Sequence, residues 1–424
     1  MTYLVYDIAT SCAAPLGALW LAARPRYRPL LARFAPAAPR FGARPLWVQA
    51  CSVGEVGTAR PFIRAFQERH PEIPVLLTAS TVAGYELAVV DMPNVSWFPF
   101  DHRWVVRRFV ERVQPRALVL IETEIWPNVL RVTQEKGVPA VLLNGRLSDK
   151  HIGRYRRYRR LLRPVFKRIA AAGMQNAEYA ERLAMLGTDP ARIRVTGNTK
   201  FDGVKTEVPE ARLRALRAEH GLGPEERVLV FGSTRPGDEA LAAECWRSLR
   251  RDCPDLFLVV APRHGNRLDE AMAPFDEPLL RRSEVCRGRQ RGGERILVLD
   301  TVGELVDFYA LAAVAVIGGS FYPGVNGHNP LEPAALGVPT VFGPFMRNFV
   351  DPALVLADAR GARQVSGPEA LLPVLRELLS SPEAAAAMAE RGRCAVLANQ
   401  GAIGRSLDLL DEAMGLDAGG RAAE

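Results

Sequence analysis

The chain has 424 residues, 48% of them apolar and 24% charged, which excludes a disordered or fibrous protein and allows two domains, each with its own core. Lysine and arginine number 55 against 47 aspartates and glutamates, and the net charge of +8 favours an anionic partner: nucleic acid, a phosphorylated lipid or a nucleotide. The six cysteines are scattered without a CxxC pair, which argues against a disulfide framework or a structural zinc site and favours a reducing, cytoplasmic environment.

The N-terminus carries a run of apolar and small residues from Leu4 to Ala23, and about 20 such residues suffice to cross a bilayer. Four arginines follow the run between residues 24 and 33, whereas a cleaved signal peptide carries its charges before the run. Arginines in that place would keep the rest of the chain in the cytoplasm. We predict that residues 1–40 are a membrane anchor with a basic flank, which either spans the bilayer or lies in its interface. The alternative is a buried helix of a soluble domain, because Asp7 and Pro15 interrupt the run.

Beyond Pro45, short apolar runs alternate with amphipathic segments. The predicted strands are Leu46–Ala50, Val75–Thr78, Ala117–Ile121 and Ala140–Asn144, with helices at Val56–Arg69 and Ala83–Val90. After a polar stretch at 202–226 the alternation restarts, with strands Arg227–Phe231, Leu256–Val260, Ile296–Leu299, Ala313–Ile317 and Pro339–Phe342. This pattern is typical of parallel sheets covered by helices on both faces.

We therefore predict an α/β protein with two Rossmann-like, doubly wound domains at residues 41–205 and 206–424, the last helix being able to pack back on the first domain. Two such domains suggest a cleft between them. Ligands of these sheets bind outside the carboxyl ends of the strands. Polar residues follow the predicted strands at these ends: Glu55, Glu124, Ser233, Arg263 and Ser320.

Several common catalytic motifs are missing from the sequence. It contains no phosphate-binding P-loop, no dinucleotide fingerprint after a strand, no HExxH and no GxSxG. It also has no DxD pair of the kind that holds a metal on a sugar diphosphate. These absences argue against an NTPase, a dehydrogenase, a metalloprotease, a hydrolase and a metal-dependent sugar transferase.

Three candidate groups lie in the first predicted domain. Gly54 would allow a tight turn that places Glu55 at a helix start, either as a general base for a sugar hydroxyl or as a simple complement to the helix dipole. Glu122 and Glu124 end a buried strand, where carboxylates form a structural ion pair or act in catalysis. Lys200 could pair with Glu124 or meet developing charge on a phosphate, although surface lysines are commoner.

The most specific segment lies in the second predicted domain. Gly318 and Gly319 would let backbone N–H groups approach a phosphate, ahead of a helix that starts near Pro330. Glu332 in its first turn could accept both hydroxyls of a ribose. The alternative is a glycine-rich turn before a capped helix.

The run Lys150–Arg168 contains no acid and interleaves aromatic and aliphatic residues with its basic ones. A basic helix of this kind suits an anionic membrane surface or lipid phosphates. Nucleic acid is the rival partner, and a solvated helix face is the ordinary alternative.

Together these segments resemble the 3-deoxy-D-manno-octulosonic acid (Kdo) transferases of lipopolysaccharide synthesis. The resemblance runs in order through WVQACSVGEV, the turn at 78–84, PFD, ETEIWPN, LNGRLS, GNTKFD, GSTRPGDE, APRH, DTVGEL, GGSF and GHNPLEP. It implies a GT-B fold with an active site between the domains, and an inverting transfer of Kdo from CMP-Kdo to the glucosamine 6'-hydroxyl of the lipid A precursor (lipid IVA). It implies no cofactor, no metal and no nucleic acid, and an anchor on the cytoplasmic face of the inner membrane.

The resemblance also implies roles for individual residues. Glu55 matches the general base, and Glu124 and Lys200 match positions that stabilise the transition state. The residues implied in substrate binding are Pro262, Arg263, Gly303, Glu304, Leu305, Asn329, Pro330, Leu331 and Glu332, to which the strand ends add Ser233 and Ser320. The sequence departs from the family at Cys51, where alanine is common, at Arg235 and Asp238, and at Asp149 and His151. Two alternatives remain open: another GT-B enzyme that uses a nucleotide sugar, and a basic nucleic-acid-binding module.

Overall fold

The structure is a computed structural model that describes residues 2–147 and 149–416; at Thr2, residues 149–151 and Arg154 it describes the backbone alone. The chain forms two compact units. The first holds the chain up to Gly203 and the segment that begins at Gln400, and the second is Val204–Asn399.

The first unit is an α/β unit around one parallel sheet. Its strands are β1 (Leu46–Gln49), β2 (Val75–Ala79), β3 (Val95–Trp97), β4 (Ala117–Ile121), β5 (Ala140–Gly145), β6 (Ala171–Met174) and β7 (Ile193–Val195). Its helices are α1 (Thr2–Ala22), α2 (Val53–Arg69), α3 (Val82–Ala88), α4 (Arg103–Val113), α5 (Pro127–Glu135), α6 (Asp149–Arg157), α7 (Arg159–Phe166) and α8 (Ala177–Leu186). A 3₁₀ segment, Pro25–Phe34, follows α1.

The strands lie in the order β3-β2-β1-β4-β5-β6-β7, and all are parallel. Apolar residues on both faces of each strand build two cores, one containing Trp47, Leu118 and Leu142 and the other Val48 and Val119. The direction of winding reverses between β1 and β4. The turns after these two strands therefore form the place where a doubly wound sheet binds its ligand.

The second unit repeats this architecture. Its strands are β8 (Arg227–Thr234), β9 (Leu256–Pro262), β10 (Leu279–Arg281), β11 (Ile296–Val298), β12 (Ala312–Ile317), β13 (Thr340–Phe342) and β14 (Arg363–Gln364). Its helices are α9 (Glu210–Glu219), α10 (Asp238–Asp252), α11 (Leu268–Met272), α12 (Arg282–Val285), α13 (Leu305–Ala310), α14 (Leu331–Ala335), α15 (Val350–Asp358), α16 (Leu371–Ser380) and α17 (Pro382–Ala398). The parallel order is β10-β11-β9-β8-β12-β13-β14, with the reversal between β8 and β12. The prediction of two Rossmann-like domains is confirmed.

The last helix, α18 (Ala402–Met414), belongs to the first unit. Asp202 accepts hydrogen bonds from the backbone N–H of Gly401, at 2.7 Å, and of Ile403, which caps the start of the helix. Further along, the buried Asp411 lies 2.8 Å from His70 Nε2. The chain thus returns from the second unit to complete the core of the first.

The N-terminal apolar run forms one helix, α1, despite Pro15 inside it. Among the described residues, α1 is the one helix that is long and apolar enough to cross a membrane, and few of its residues are buried. Leu4, Leu16 and Leu19 are 65% to 70% exposed. The alternative of a buried core helix is therefore wrong.

Candidate active site

Glu55 lies in the first turn of α2, directly after β1. The helix begins at Val53, three residues earlier than predicted, so Glu55 can turn back over the helix start. One of its carboxylate oxygens accepts a hydrogen bond from Cys51 N at 2.6 Å, and the other accepts one from Ser52 Oγ at 3.1 Å. Gly54 has ordinary helical backbone, and a Cβ there would meet nothing closer than 4.0 Å. The turn therefore does not need this glycine, which instead leaves open space beside Glu55.

The second carboxylate group follows β4. Glu122 adopts a left-handed backbone with a φ of 61°, which turns the chain sharply at the end of the strand. Thr123 Oγ1 donates to the carbonyl of Arg146, and Trp126 Nε1 donates to Glu124 Oε2 at 2.9 Å. These contacts fix Glu124 at the carboxyl edge of the sheet, next to the turn that carries Glu55.

Cys51, Glu55 and Glu124 form one cluster, because ligand atoms of all three lie within 4.8 Å of one another. Burial, and then the charge of Glu124, raise the pKa of Glu55 to about 8. Burial likewise raises the pKa of Glu124. Burial, and then the negative charges of Glu124 and Glu55, raise the pKa of the Cys51 thiol to about 12. The cluster of Cys51, Glu55 and Glu124 could hold a metal ion, and it is the one such group found among the described residues. Without a metal, the arrangement is a carboxyl pair of which one member titrates near neutral pH, as a general base requires.

Lys200 lies near these carboxylates, although the ion pair that the structure records differs from the one predicted. Its Nζ is 4.0 Å from Glu122 Oε1, whereas the sequence suggested Glu124 as partner. The left-handed turn at Glu122 directs that side chain toward Lys200. The loop is held by buried amides, since Asn144 Oδ1 accepts from Thr199 N at 3.1 Å and Asn198 Oδ1 accepts from Lys200 N at 3.0 Å.

In the second unit, the turns after β8 and β12 interlock. Ser233 has a left-handed φ of 56°, and a Cβ on Gly318 would lie 2.6 Å from its carbonyl oxygen. Gly319 N donates to the buried Asp238 at 2.6 Å, and Arg235 N donates to the same oxygen at 2.9 Å. Only a glycine at 318 allows this close approach of the two backbones. Ser233 and the glycine turn thus lie together at the ends of β8 and β12.

Ser320, in contrast, has its hydroxyl engaged within the fold. It is fully buried, donates to the Ile317 carbonyl at 2.6 Å and accepts from Gly343 N at 2.8 Å. The prediction that it binds substrate is not supported by this geometry, which gives it a role in holding the glycine turn. Leu331 is also fully buried, so its side chain serves the core.

Arg263 leaves the end of β9 after Pro262, with its backbone N–H bound to the carbonyl of Thr234 at 3.1 Å. Its side chain is exposed, and its positive charge helps to lower the pKa of His328 and opposes the burial that raises the pKa of Glu332. Burial, aided by Arg263 and Arg235, lowers the pKa of His328 to about 4, so this ring is neutral at pH 7.

Glu332 lies in the first turn of α14, where burial raises its pKa. Asn329 connects it to the start of this helix, since Asn329 Nδ2 donates to Glu332 Oε1 at 3.3 Å and Asn329 Oδ1 accepts from Leu331 N at 3.1 Å. Pro330, between them, sits at the cap position. The segment 329–332 thus presents an acceptor group, Glu332, beside a cationic one, Arg263.

Glu304 is held in an ion-pair network. Arg282 donates to it through Nε and Nη2, and Arg212 donates at 2.9 Å. The hydrogen bond with Arg282 is the main reason that its pKa is lowered to about 2. Its carboxylate is therefore engaged within the fold. The neighbouring Gly303 has a φ of 92°, and α13 begins at Leu305.

The predicted basic run forms α6 and α7, with Lys150, His151 and Arg154 outside the described side chains. Val165 and Phe166 are buried in the core of the first unit, whereas the arginines at 156, 157, 159, 160 and 163 are exposed. Tyr158 and Leu161 are exposed beside them. The run is thus an amphipathic surface with both positive charge and apolar side chains.

Sequence reasoning missed Asp101 and Trp126, both of which support the site. Asp101 is 3% exposed and accepts from the backbone N–H groups of Asn128 and Val129, at 3.2 and 2.8 Å. Trp126 holds Glu124, as described above. The PFD and ETEIWPN segments contain these two residues, but neither indicates that Asp101 contacts the start of α5.

Comparison with known proteins identifies the family. A family model described as 3-deoxy-D-manno-octulosonic-acid transferase (kdotransferase) matches residues 27–203. The chain is 34% identical to the 3-deoxy-D-manno-octulosonic acid transferase of Bordetella pertussis, over 97% of this chain and 99% of that protein. It is 29% identical to the enzyme of the same name from Haemophilus influenzae, over 91% and 92%.

A solved glycosyltransferase from Rickettsia africae shares the fold at a TM-score of 0.58 and 11% identity, over 88% of this chain and 99% of that one. At that identity the likeness concerns the fold alone. The chain therefore belongs to the 3-deoxy-D-manno-octulosonic acid transferase family, and is a glycosyltransferase of the GT-B fold.

Proposed function

We propose that the protein transfers Kdo from CMP-Kdo to the glucosamine 6'-hydroxyl of lipid IVA, with inversion at the anomeric carbon. The observation that carries the proposal is the Glu55–Glu124 pair, which gives Glu55 a pKa of about 8 beside open space at Gly54. A primary sugar hydroxyl is a poor nucleophile at neutral pH. A carboxylate whose pKa lies near the working pH is suited to take its proton during attack.

The reaction is a single displacement. The acceptor oxygen forms a bond to the anomeric carbon of Kdo while the bond from that carbon to the CMP phosphate breaks. The hydroxyl proton passes to Glu55, and the electron pair of the broken bond leaves with CMP. Attack from the face opposite the leaving phosphate inverts the anomeric centre without a covalent intermediate.

Glu124 and Lys200 act on the same step. Glu124 keeps the pKa of Glu55 high, so that Glu55 is a strong enough base. Lys200, paired with Glu122, supplies a positive charge close to the carboxylates and to charge that develops in the transition state.

The donor is bound by residues of the second unit. Arg263 with Arg235 offers positive charge to the CMP phosphate, and the glycine turn at 318–319 offers close backbone approach. Glu332 is placed to accept hydrogen bonds from the ribose hydroxyls. Pro262, Ser233, Asn329, Pro330 and the backbone of 303–305 complete the donor site.

The acceptor is a lipid, and the surface of the first unit suits a membrane. α1 exposes apolar side chains, and α6 and α7 expose arginines that would meet the lipid phosphates. We place the enzyme on the cytoplasmic face of the inner membrane. The basic run is accounted for in this way, without nucleic acid as a partner.

The test is to incubate the purified protein with CMP-Kdo and lipid IVA and to determine the mass and anomeric configuration of the product. The proposal expects addition of Kdo with the configuration opposite to that of the donor. Retention, or no product, would contradict it. CMP should protect the protein from heat unfolding better than UDP does, and the reverse would favour a transferase that uses a nucleoside-diphosphate sugar.

A further inference from the structure

The helix α1 docks on the first unit through polar side chains in its first half. Tyr6 Oη donates to Asp101 Oδ2 at 2.8 Å, Asp7 pairs with Arg131 at 2.9 Å, and Arg168 Nε donates to Tyr3 Oη at 2.8 Å. The sheltered positions of α1 continue along the whole helix with helical spacing, at residues 3, 6, 7, 10, 14, 17, 18 and 21. One face of α1 is therefore less exposed than the other along the helix.

The segment after α1 returns to the same unit. Phe100 N donates to the Arg33 carbonyl at 2.7 Å, Arg33 Nε donates to the Phe98 carbonyl at 3.0 Å, and the rings of Phe34 and Phe100 are 4.7 Å apart. While the first half of α1 is docked, only Cys12–Ala22 extends beyond it, which is about 16 Å of helix. The hydrocarbon core of a bilayer is about 30 Å thick. The part of the helix that is free of the docking contacts is thus too short to span the bilayer.

Asp101 connects this docking to the candidate active site. It is buried between β3 and α4, and its Oδ2 accepts both from Tyr6 and from the backbone N–H of Asn128. Its Oδ1 accepts from Val129 N at 2.8 Å, and Asn128 Nδ2 donates to its carbonyl at 3.1 Å. The carboxylate therefore satisfies two of the free N–H groups at the start of α5.

The loop in front of α5 carries Glu124. Trp126, the residue before the helix, donates to Glu124 at 2.9 Å, and its ring lies 5.3 Å from that of Phe98. Arg33 lies 5.7 Å above the same ring. Tyr6 in α1 and Arg33 in the 3₁₀ segment thus both reach the residues around this carboxylate.

We propose that Tyr6 and Asp101 are positioning residues that connect the membrane-bound helix α1 to the loop holding Glu124. The inference rests on the proposed function. The bilayer, by covering the exposed apolar face of α1, holds the helix on the domain, and Tyr6 then keeps Asp101 and the start of α5 in place. Membrane contact in this way sets the geometry of the reacting carboxylates as well as access to the lipid acceptor.

The experiment compares Tyr6→Phe with Ser11→Ala, which removes an exposed contact from the same helix to His102. Each variant is assayed with lipid IVA in phosphatidylethanolamine–phosphatidylglycerol vesicles and in detergent micelles, and its binding to the vesicles is measured by sedimentation. We expect Tyr6→Phe to lower kcat about tenfold in vesicles, with KM for CMP-Kdo and vesicle binding unchanged, because a misplaced carboxylate slows the chemical step. Ser11→Ala should behave as the wild type.

Equal kcat for Tyr6→Phe and the wild type in vesicles would overturn the inference. A loss that is confined to vesicles and accompanied by weaker vesicle binding would also overturn it, because Tyr6 would then serve attachment alone. Asp101→Asn provides a second variant, and it should lower kcat in both vesicles and micelles while the protein stays folded well above the assay temperature. If the wild type itself forms no product, the proposed function fails, and that outcome is distinct from failure of the inference.

Discussion

The strongest quantitative consequence of the cluster concerns the substitution Glu124→Gln. Carboxylate atoms of Glu55 and Glu124 lie within 4.8 Å of each other. At an effective dielectric constant of about 20, two full charges at that distance repel by about 3 kcal/mol, equivalent to about 2 pH units in a pKa. Glutamine removes this repulsion, so we expect the pKa of Glu55 to fall by about 1 to 2 pH units in the variant.

The assay is the pH dependence of kcat/KM for CMP-Kdo at fixed acceptor. In the wild type only the ionised form of Glu55 accepts a proton, so the rate should rise with pH to a midpoint near the Glu55 pKa of about 8. In Glu124→Gln the maximum rate should fall, but the midpoint should move to lower pH. Glu122→Gln is the matched control, because the charge of Glu122 raises the pKa of Glu55 less than that of Glu124 does, and its midpoint should move less. An unchanged or higher midpoint in Glu124→Gln would show that the charge of Glu124 does not raise the pKa of Glu55.

Three further predictions follow from the same structure. Folding raises the pKa of Glu55, so the contribution of Glu55 to stability is complete below its unfolded pKa and is lost as pH rises through about 8. Glu55→Gln should therefore raise the free energy of unfolding at pH 9 by on the order of 1–3 kcal/mol and leave it unchanged at pH 4. Urea titrations at the two pH values measure this difference. Gly232→Ala should destabilise the second unit by about 1–3 kcal/mol, because the new Cβ would lie 1.8 Å from a buried tyrosine hydroxyl. Gly54→Ala, in contrast, should have a melting temperature no lower than that of the wild type but should transfer Kdo more slowly. Arg263→Ala should lose most of the protection from heat unfolding that CMP gives. Arg289 pairs with two surface glutamates, and the control variant Arg289→Ala should keep this protection. Equal protection in both variants would contradict the proposed donor site.

The strand ends could be predicted because buried parallel strands are continuous apolar runs and their carboxyl ends share one edge. The pattern therefore located Glu55, Glu124 and Ser233 at strand ends, whereas the contact of Glu55 with Glu124 comes from the structure. What could not be predicted depends on backbone geometry and on distant partners. The Lys200–Glu122 pair requires the left-handed residue at the end of β4, and the engagement of Glu304 requires Arg282, 22 positions away. Helix α9 was missed because its exposed face made the stretch 202–226 look like a linker.

The Tyr6–Asp101 contact shows the same limit more sharply. It joins residues that are 95 positions apart, and the sequence around neither residue indicates that it contacts the other. Only the folded chain brings the first helix of the protein to the cap of α5. Local patterns thus identify which residues carry chemistry, while the tertiary structure identifies the residues that hold them in place.

Whether Glu55 is the base of the transfer reaction can be tested by the turnover of Glu55→Gln with CMP-Kdo and lipid IVA. Glutamine keeps the shape of the side chain and its place at the start of α2 but cannot take a proton. Glu210→Gln, at the start of α9, is the control for loss of a carboxylate from a first helical turn. If Glu55 is the base, Glu55→Gln should lose about 1,000-fold or more in rate, which is on the order of what general-base catalysis contributes, and should bind CMP within a few-fold of the wild type. Turnover near the wild-type rate, with product of the correct mass, would contradict this role of Glu55.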